Sequence, residues 1–105
     1  MSELRVVFVT APLADAERIV ETLVRERLVA CGNIVPGVRS IYVWKHEIVR
    51  DEEAIVLMET AADRLGALTE RIRALHPYEC PKIVAFDPAA VTGDYLAWVL
   101  AAVSP

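Results

Sequence analysis

Six consecutive residues, His76-Pro77-Tyr78-Glu79-Cys80-Pro81, set an imidazole, a phenol, a carboxylate and a thiol between and beside two prolines. Each pyrrolidine ring fixes φ and stiffens the chain, and a stiff loop is a good place to hold a binding constellation. Two kinds of chemistry are on offer: soft-metal ligation by Cys80 and His76, and polar recognition of a small ligand by Tyr78 and Glu79. The competing account is that Pro77 and Pro81 stop a helix and start a strand. The chain has two cysteines and two histidines, so Cys31 and His46 complete its soft-donor inventory. Thiolates with imidazoles suit Cu(I) or zinc, yet the spacing of Cys31, His46, His76 and Cys80 forces no convergence. A free cysteine is usually a small buried hydrophobe, and a helix-end histidine usually bonds a carbonyl. Cys31, Cys80 and His76 therefore stand as metal candidates behind those packing roles. No nucleophile–base pair is recognisable, so no catalytic residue is assigned and the chain reads as a non-enzyme.

The elements that must position this loop begin with a long hairpin from Cys31 to Thr60. Side chains alternate across a strand, so Tyr42 and Trp44 oppose Ile41 and Val43, while Ile55 and Leu57 oppose Val56 and Met58. Neither face is polar, as a half-solvated antiparallel sheet requires. Pro36-Gly37 predicts a bend or bulge in the first arm, and Lys45-His46-Glu47 the turn. Asp51-Glu52-Glu53 reads as a solvated edge that discourages stray strand pairing. Glu59 follows an apolar run and needs a partner if covered, and Lys45 can supply charge at the hairpin rim.

Around the hairpin, Leu4 to Thr10 is a valine-rich strand. Ile19, Val20, Leu23, Val24 and Leu28 form a helical stripe, and Asp63 to Leu75 is a second helix ended by His76-Pro77. Lys82 to Phe86 is a short strand, and Thr92-Gly93-Asp94 opens a last helix carrying Tyr95, Leu96, Val99 and Val103. The order is β-α-β-β-α-β-α, whose first six elements are the ferredoxin-like split βαβ. The fold class is α+β, with an antiparallel sheet and an extra C-terminal helix. Right-handed crossovers put both main helices on one face. The other face must be covered by the last helix or by partner subunits.

At 105 residues, 55% hydrophobic and 25% charged, residues 1–105 read as a single globular domain. The net charge of −4 argues against nucleic-acid binding, which needs a cationic footprint. No signal-peptide pattern or membrane-length apolar run is visible, so the expected location is the cytoplasm and no membrane partner is expected. In such a reducing compartment Cys31 and Cys80 are expected as free thiols.

Taken jointly, Ala30-Cys31-Gly32-Asn33-Ile34-Val35-Pro36-Gly37, Ser40-Ile41-Tyr42-Val43-Trp44-Lys45, Asp51-Glu52-Glu53, His76-Pro77-Tyr78-Glu79-Cys80-Pro81 and Tyr95-Leu96-Ala97-Trp98 resemble the CutA family of divalent-cation tolerance proteins. The resemblance covers nearly the whole chain in the same order. It implies a small cytoplasmic ferredoxin-like homotrimer, similar in architecture to PII signalling proteins, linked to copper tolerance and the response to metal ions, with no established catalysis. Copper or another divalent cation is the bound ion it suggests; two alternatives are a direct copper buffer and a PII-like small-ligand signalling trimer. Against the family pattern, Cys80 replaces a Val or Thr, Val43 a basic residue, His46 the glycine of the hairpin tip, and Gly32 a larger residue. An intersubunit cleft is expected, formed by Tyr42, Trp44, Lys45, Glu59, His76, Tyr78 and Glu79, in which the proline loop of one copy meets the hairpin of another. An acylphosphatase or an RNA-binding domain on this fold is disfavoured, because the anion-cradling loop of the one and the aromatic strand motif of the other are missing.

Overall fold

The computed structural model describes residues 3–105. Strands β1 (Leu4–Ala11), β2 (Cys31–Trp44), β3 (Glu47–Ala61) and β4 (Ile83–Phe86) alternate with helices α1 (Leu13–Arg25), α2 (Leu65–Leu75) and α3 (Gly93–Ala102). The sheet order is β2-β3-β1-β4, and every neighbouring pair is antiparallel. This is the ferredoxin-like arrangement with an added C-terminal helix.

The register sorts the side chains. Residues directly opposite across an antiparallel pair share a face. Val7, Val9 and Ala11 therefore lie with Met58, Val56 and Ala54 on one face. That face is buried against Ala16, Ile19 and Leu23 of α1 and Leu68 and Ile72 of α2. Each of the Val, Leu, Ile and Met side chains among them contributes about 1.5–3 kcal/mol by leaving water. The one polar group deep on this face, Thr60, donates its hydroxyl to the Leu28 carbonyl at 2.7 Å, which removes the penalty of an unmade bond.

The apolar stripe of α1 runs on to Leu28 in sequence, but the helix stops at Arg25. Arg27 takes a left-handed φ of 60°. The Leu28 amide then donates back to the Leu23 carbonyl at 2.9 Å and that of Arg27 to Val24 at 3.0 Å. This is a Schellman termination built on arginine instead of glycine. Leu28 still reaches the core.

The hairpin follows its local signals. Register shifts between Val35 and Val38, where Gly37 adopts φ 71°: the extra residue is a bulge. Trp44 pairs with Glu47, leaving Lys45 and His46 as a two-residue loop, both with positive φ, as the tight primed turns require. His46, at φ 71°, explains why glycine suits that position.

The second face is only partly covered. Cys31, Glu59 and Val6 share it, as do Phe8 and Leu57. The last helix caps the end of this face: Val99 and Val103 are buried, and Tyr95 reaches Glu59. Val35, Val84, Phe86 and Trp98 remain exposed. Beyond the helices the hairpin projects with Ile41, Val43 and Ile48 exposed, and the molecule is drawn out to 44 × 27 × 23 Å.

Gly32 lies on the helix side, where a Cβ would stand 2.6 Å from Cγ1 of Val20 and 3.4 Å from Met58 Cγ. A β-branched neighbour cannot swing away. Gly32→Ala is expected to destabilise the chain by about 1–3 kcal/mol, the usual cost of overpacking, and Gly32→Ala with Val20→Ala to recover most of it. Chemical denaturation checks this; a Gly32→Ala midpoint equal to wild type would contradict the close approach.

Candidate functional site

The proline loop is tied to the sheet by its histidine. His76 is buried. Its Nε2 lies 2.8 Å from the Thr10 carbonyl, and its Nδ1 is 3.1 Å from the Tyr78 amide nitrogen. A carbonyl only accepts and an amide only donates, so Nε2 carries the proton and Nδ1 accepts. The imidazole packs 4.7 Å from the Tyr78 ring. Both ring nitrogens are thus committed, and the histidine orients the loop from beneath.

Tyr78 then reaches across to the hairpin, where its hydroxyl donates to Oε2 of Glu53 at 2.7 Å. Glu53 is only 5% exposed. The neighbouring phenol, Tyr42, donates to Asp51 on the return strand. Between loop and hairpin lies a cleft of about 660 Å³, whose walls include Tyr42, Trp44, Glu53, Tyr78, Glu79 and Cys80. Burial, followed by the hydrogen bond to Glu53 and the surrounding negative charge, pushes the Tyr78 hydroxyl well above the ordinary phenol range. The bond to Asp51, with the nearby carboxylate charge and partial desolvation, raises Tyr42 to about 12.

Of the residues singled out from sequence, Tyr42, Trp44, Tyr78 and Glu79 come together on this cleft. Within one chain they already line a common concavity. Lys45 sits at the hairpin tip, its Nζ 5.7 Å from the Trp44 ring. Glu59 lies elsewhere: it accepts from the Tyr95 hydroxyl at 3.0 Å. Glu53 is the residue that sequence reasoning missed, since it was grouped with a solvated acidic edge. Strand alternation does not single it out, because Glu52 has the parity of the buried Ala54, Val56 and Met58 and the cover over Glu53 comes from Tyr78 on the distant loop.

The metal candidates are dispersed. Cys80 is exposed on the loop and Cys31 half-buried on the sheet, both as free thiols. Cys31 lies opposite Glu59; burial, then the Glu59 charge, pushes its thiol up, so the proton competes with a metal for the sulfur. Glu59 in turn is raised by burial, against the opposing Tyr95 bond. Among the described residues no three His, Cys, Asp or Glu side chains converge to hold a metal ion. With both His76 nitrogens bonded as well, one chain by itself does not fit a resident metal.

Comparison with known proteins gives the family. The CutA1 divalent ion tolerance protein model matches residues 5–102. The chain belongs to the CutA1 family. The divalent-cation tolerance protein CutA of Thermus thermophilus is 46% identical over 95 residues, covering 90% of this chain and 92% of that protein. The chloroplastic protein CutA of Arabidopsis thaliana is 36% identical over 90% of this chain, which spans only 52% of that longer relative. Among solved structures, the PII-like protein CutA from Nostoc sp. PCC 7120, in apo form, superposes with a TM-score of 0.90 at 34% identity, covering 94% of this chain and 96% of that one. The family is named for divalent ion tolerance and not for a reaction. In this CutA1 chain no helix among the described residues is long and apolar enough to cross a membrane.

The third tyrosine, Tyr95, is also raised, to about 12, by burial and then its bond to Glu59. These are all the tyrosines of the chain, and each holds its proton more tightly folded than unfolded. The stability they contribute is therefore complete below the unfolded phenol value of 10.0 and is lost as pH rises through about 12. Phenolate absorbance titration is expected to show no tyrosine ionising at the ordinary value before the chain unfolds. Glu53→Gln, which removes charge and keeps an acceptor, is expected to bring Tyr78 down. A wild-type tyrosine with an ordinary midpoint would overturn the phenol–carboxylate pair to which it belongs.

Proposed function

We propose that this CutA1-family chain works as a non-catalytic homotrimer in divalent-cation (copper) tolerance and the response to metal ions, with a PII-like architecture in which the hairpin cleft takes a small ligand. The observation that carries the reading is the projecting hairpin. Ile41, Val43 and Ile48 are 66%, 68% and 63% exposed on one face, and Tyr42 and Trp44 stand partly open on the other. Clustered large apolar side chains on a soluble chain mark an interaction surface. The strands on which they lie continue a sheet whose second face still carries exposed Val35, Val84 and Phe86. Copies of the same chain supply a matching apolar surface on both counts. The likeness to a PII-like CutA supports three-fold closure, and the dispersed metal candidates support a regulatory role over a resident cofactor. Two free thiols suit a reducing compartment, which supports a cytoplasmic location.

Sedimentation equilibrium tests the assembly. A trimer at micromolar concentration is expected; a monomer there sinks the proposal. Trp44→Ala is expected to weaken assembly by about 2–4 kcal/mol, the scale of an aromatic anchor at an interface. An unchanged trimer with unchanged thermal stability would remove Trp44 from the contact.

The second reading is a direct copper buffer, and the exposed Cys80 thiol beside the cleft is what favours it. Thiolates are the soft anionic donors that Cu(I) prefers, and because one chain gathers no donor set, several copies would have to contribute them. On this reading the Cys31→Ser, Cys80→Ser double variant loses Cu(I) affinity in competition with a chelator. Equal affinity in the variant and wild type would eliminate thiol ligation.

A further inference from the structure

We infer that the cleft between the proline loop and the hairpin is built to receive a small organic ammonium group, with Glu53 as its anionic anchor and Trp44, Tyr42 and Tyr78 as its aromatic surround. This deepens the ligand-cleft reading above and rests on it.

The first ground is a carboxylate with too few partners. Glu53 is 95% removed from solvent by its 5% exposure, yet a single donor, the Tyr78 hydroxyl on Oε2, reaches it. Among the described residues no hydrogen bond reaches Oε1 and no ion pair includes Glu53. A buried carboxylate normally gathers several donors or a cation. This one lines an open cleft instead, with an oxygen to spare.

The second ground is what the other walls have left to give. Tyr78 spends its proton on Glu53 and Tyr42 spends its own on Asp51. Burial and those same bonds keep both protons in place through neutral pH. What the two tyrosines and the carboxylates offer a ligand is phenol oxygen lone pairs, ring faces and carboxylate oxygens, to which Glu79 adds another pair; the neutral donors beside them are the hydroxyls of Thr10 and Ser40, the indole N–H of Trp44 and the Cys80 thiol. The lone pairs, ring faces and carboxylates attract positive charge. The single cationic side chain on the walls is Lys82, and its Nζ lies 5.0 Å from the Phe8 ring with no ion pair to either glutamate. Phe8 under Lys82 and Trp44 under Lys45 show the same preference at the margins of the site.

A metal ion would use the same acceptors, but the donor census speaks against it: no three metal-ligating side chains converge here. An ammonium needs one carboxylate and aromatic faces, and the cleft has both. The cation could arrive as a free amine or as a lysine of a second copy, and the two are separable by experiment.

The full chain with Trp98→Phe leaves Trp44 as the sole tryptophan of the two and so as the fluorescent reporter. It is titrated in turn with propylammonium, 1-propanol and propionate, which share a size and differ in charge. Zinc chloride is the fourth probe, and sedimentation of each sample is run in parallel. The expected result is a saturable change with propylammonium alone, weakened about tenfold by Glu53→Gln, the loss of one charge-assisted hydrogen bond. Glu79→Gln, at an exposed position, is expected to weaken it less. Equal response to propanol or propionate, a response to zinc in place of the amine, or an amine titration indifferent to Glu53→Gln each overturns the proposal. So does the absence of saturation in wild type. If in that last case Glu53→Gln dissociates the oligomer, the cation belongs to a second copy and the cleft is an assembly contact. A monomeric wild type that still binds propylammonium would retain the site and discard the trimer, so the two ideas fail separately.

Discussion

The organising constraint is a strand pair that outruns its cover. β2 and β3 are 14 and 15 residues long, against 8 for β1 and 4 for β4. Helices α1 and α2 blanket only the part of β3 that β1 supports. Past Ala54, where β1 ends its pairing, the ladder of β2 and β3 continues alone to the turn. A two-stranded ribbon has no layer of its own to bury side chains. It is nevertheless dressed in Ile41, Tyr42, Val43, Trp44 and Ile48. The bulge at Pro36-Gly37 falls where the ribbon departs from the sheet, so the bend and the loss of cover coincide.

The cleft exists because the proline loop leaves α2 at the same latitude. His76 ties that loop to Thr10 near the end of β1, and Tyr78 carries the connection across to Glu53 near the base of the ribbon. Three segments distant in sequence are thereby fixed around one concavity. The fixing is polar, through a carbonyl, an imidazole, a phenol and a carboxylate. Polar ties are directional where apolar ones are not, which gives the walls defined positions without filling the space between them. Cys80 departs from the family pattern on the exposed side of this loop and leaves the tie itself untouched.

What could be seen in the sequence was what neighbouring residues decide. The two hairpin arms, the bulge, the turn and both main helices follow from alternation, helical periodicity, Pro, Gly and charge within a few positions. Glu53 could not be placed the same way. Its burial depends on Tyr78, 25 residues later, and an acidic triplet viewed alone looks like solvated surface. The early end of α1 was hidden for a different reason: Arg27 adopts a conformation that its residue type does not announce. Cys31, Glu59 and Tyr95 form a small cluster through strand register and the return of α3, neither of which is visible in spacing. The sequence pointed to loop and hairpin meeting between copies; the Tyr78–Glu53 bond shows that they also meet within one chain.

The sheet order has a consequence for synthesis. β1 occupies a central position, flanked by β3 on one edge and β4 on the other, although it precedes both partners in the chain. Its partners on β3 end at Ala61 and those on β4 at Phe86. A valine-rich segment, Leu4–Ala11, thus emerges with both of its hydrogen-bonding edges open, and the second stays open until most of the polypeptide has followed. Helix α1 comes directly after it and can cover one face early, but no local element can cap those edges. The nascent domain carries an aggregation-capable open edge of β1 until β4 has followed it, so the vulnerable interval in the life of this fold comes before the native molecule exists.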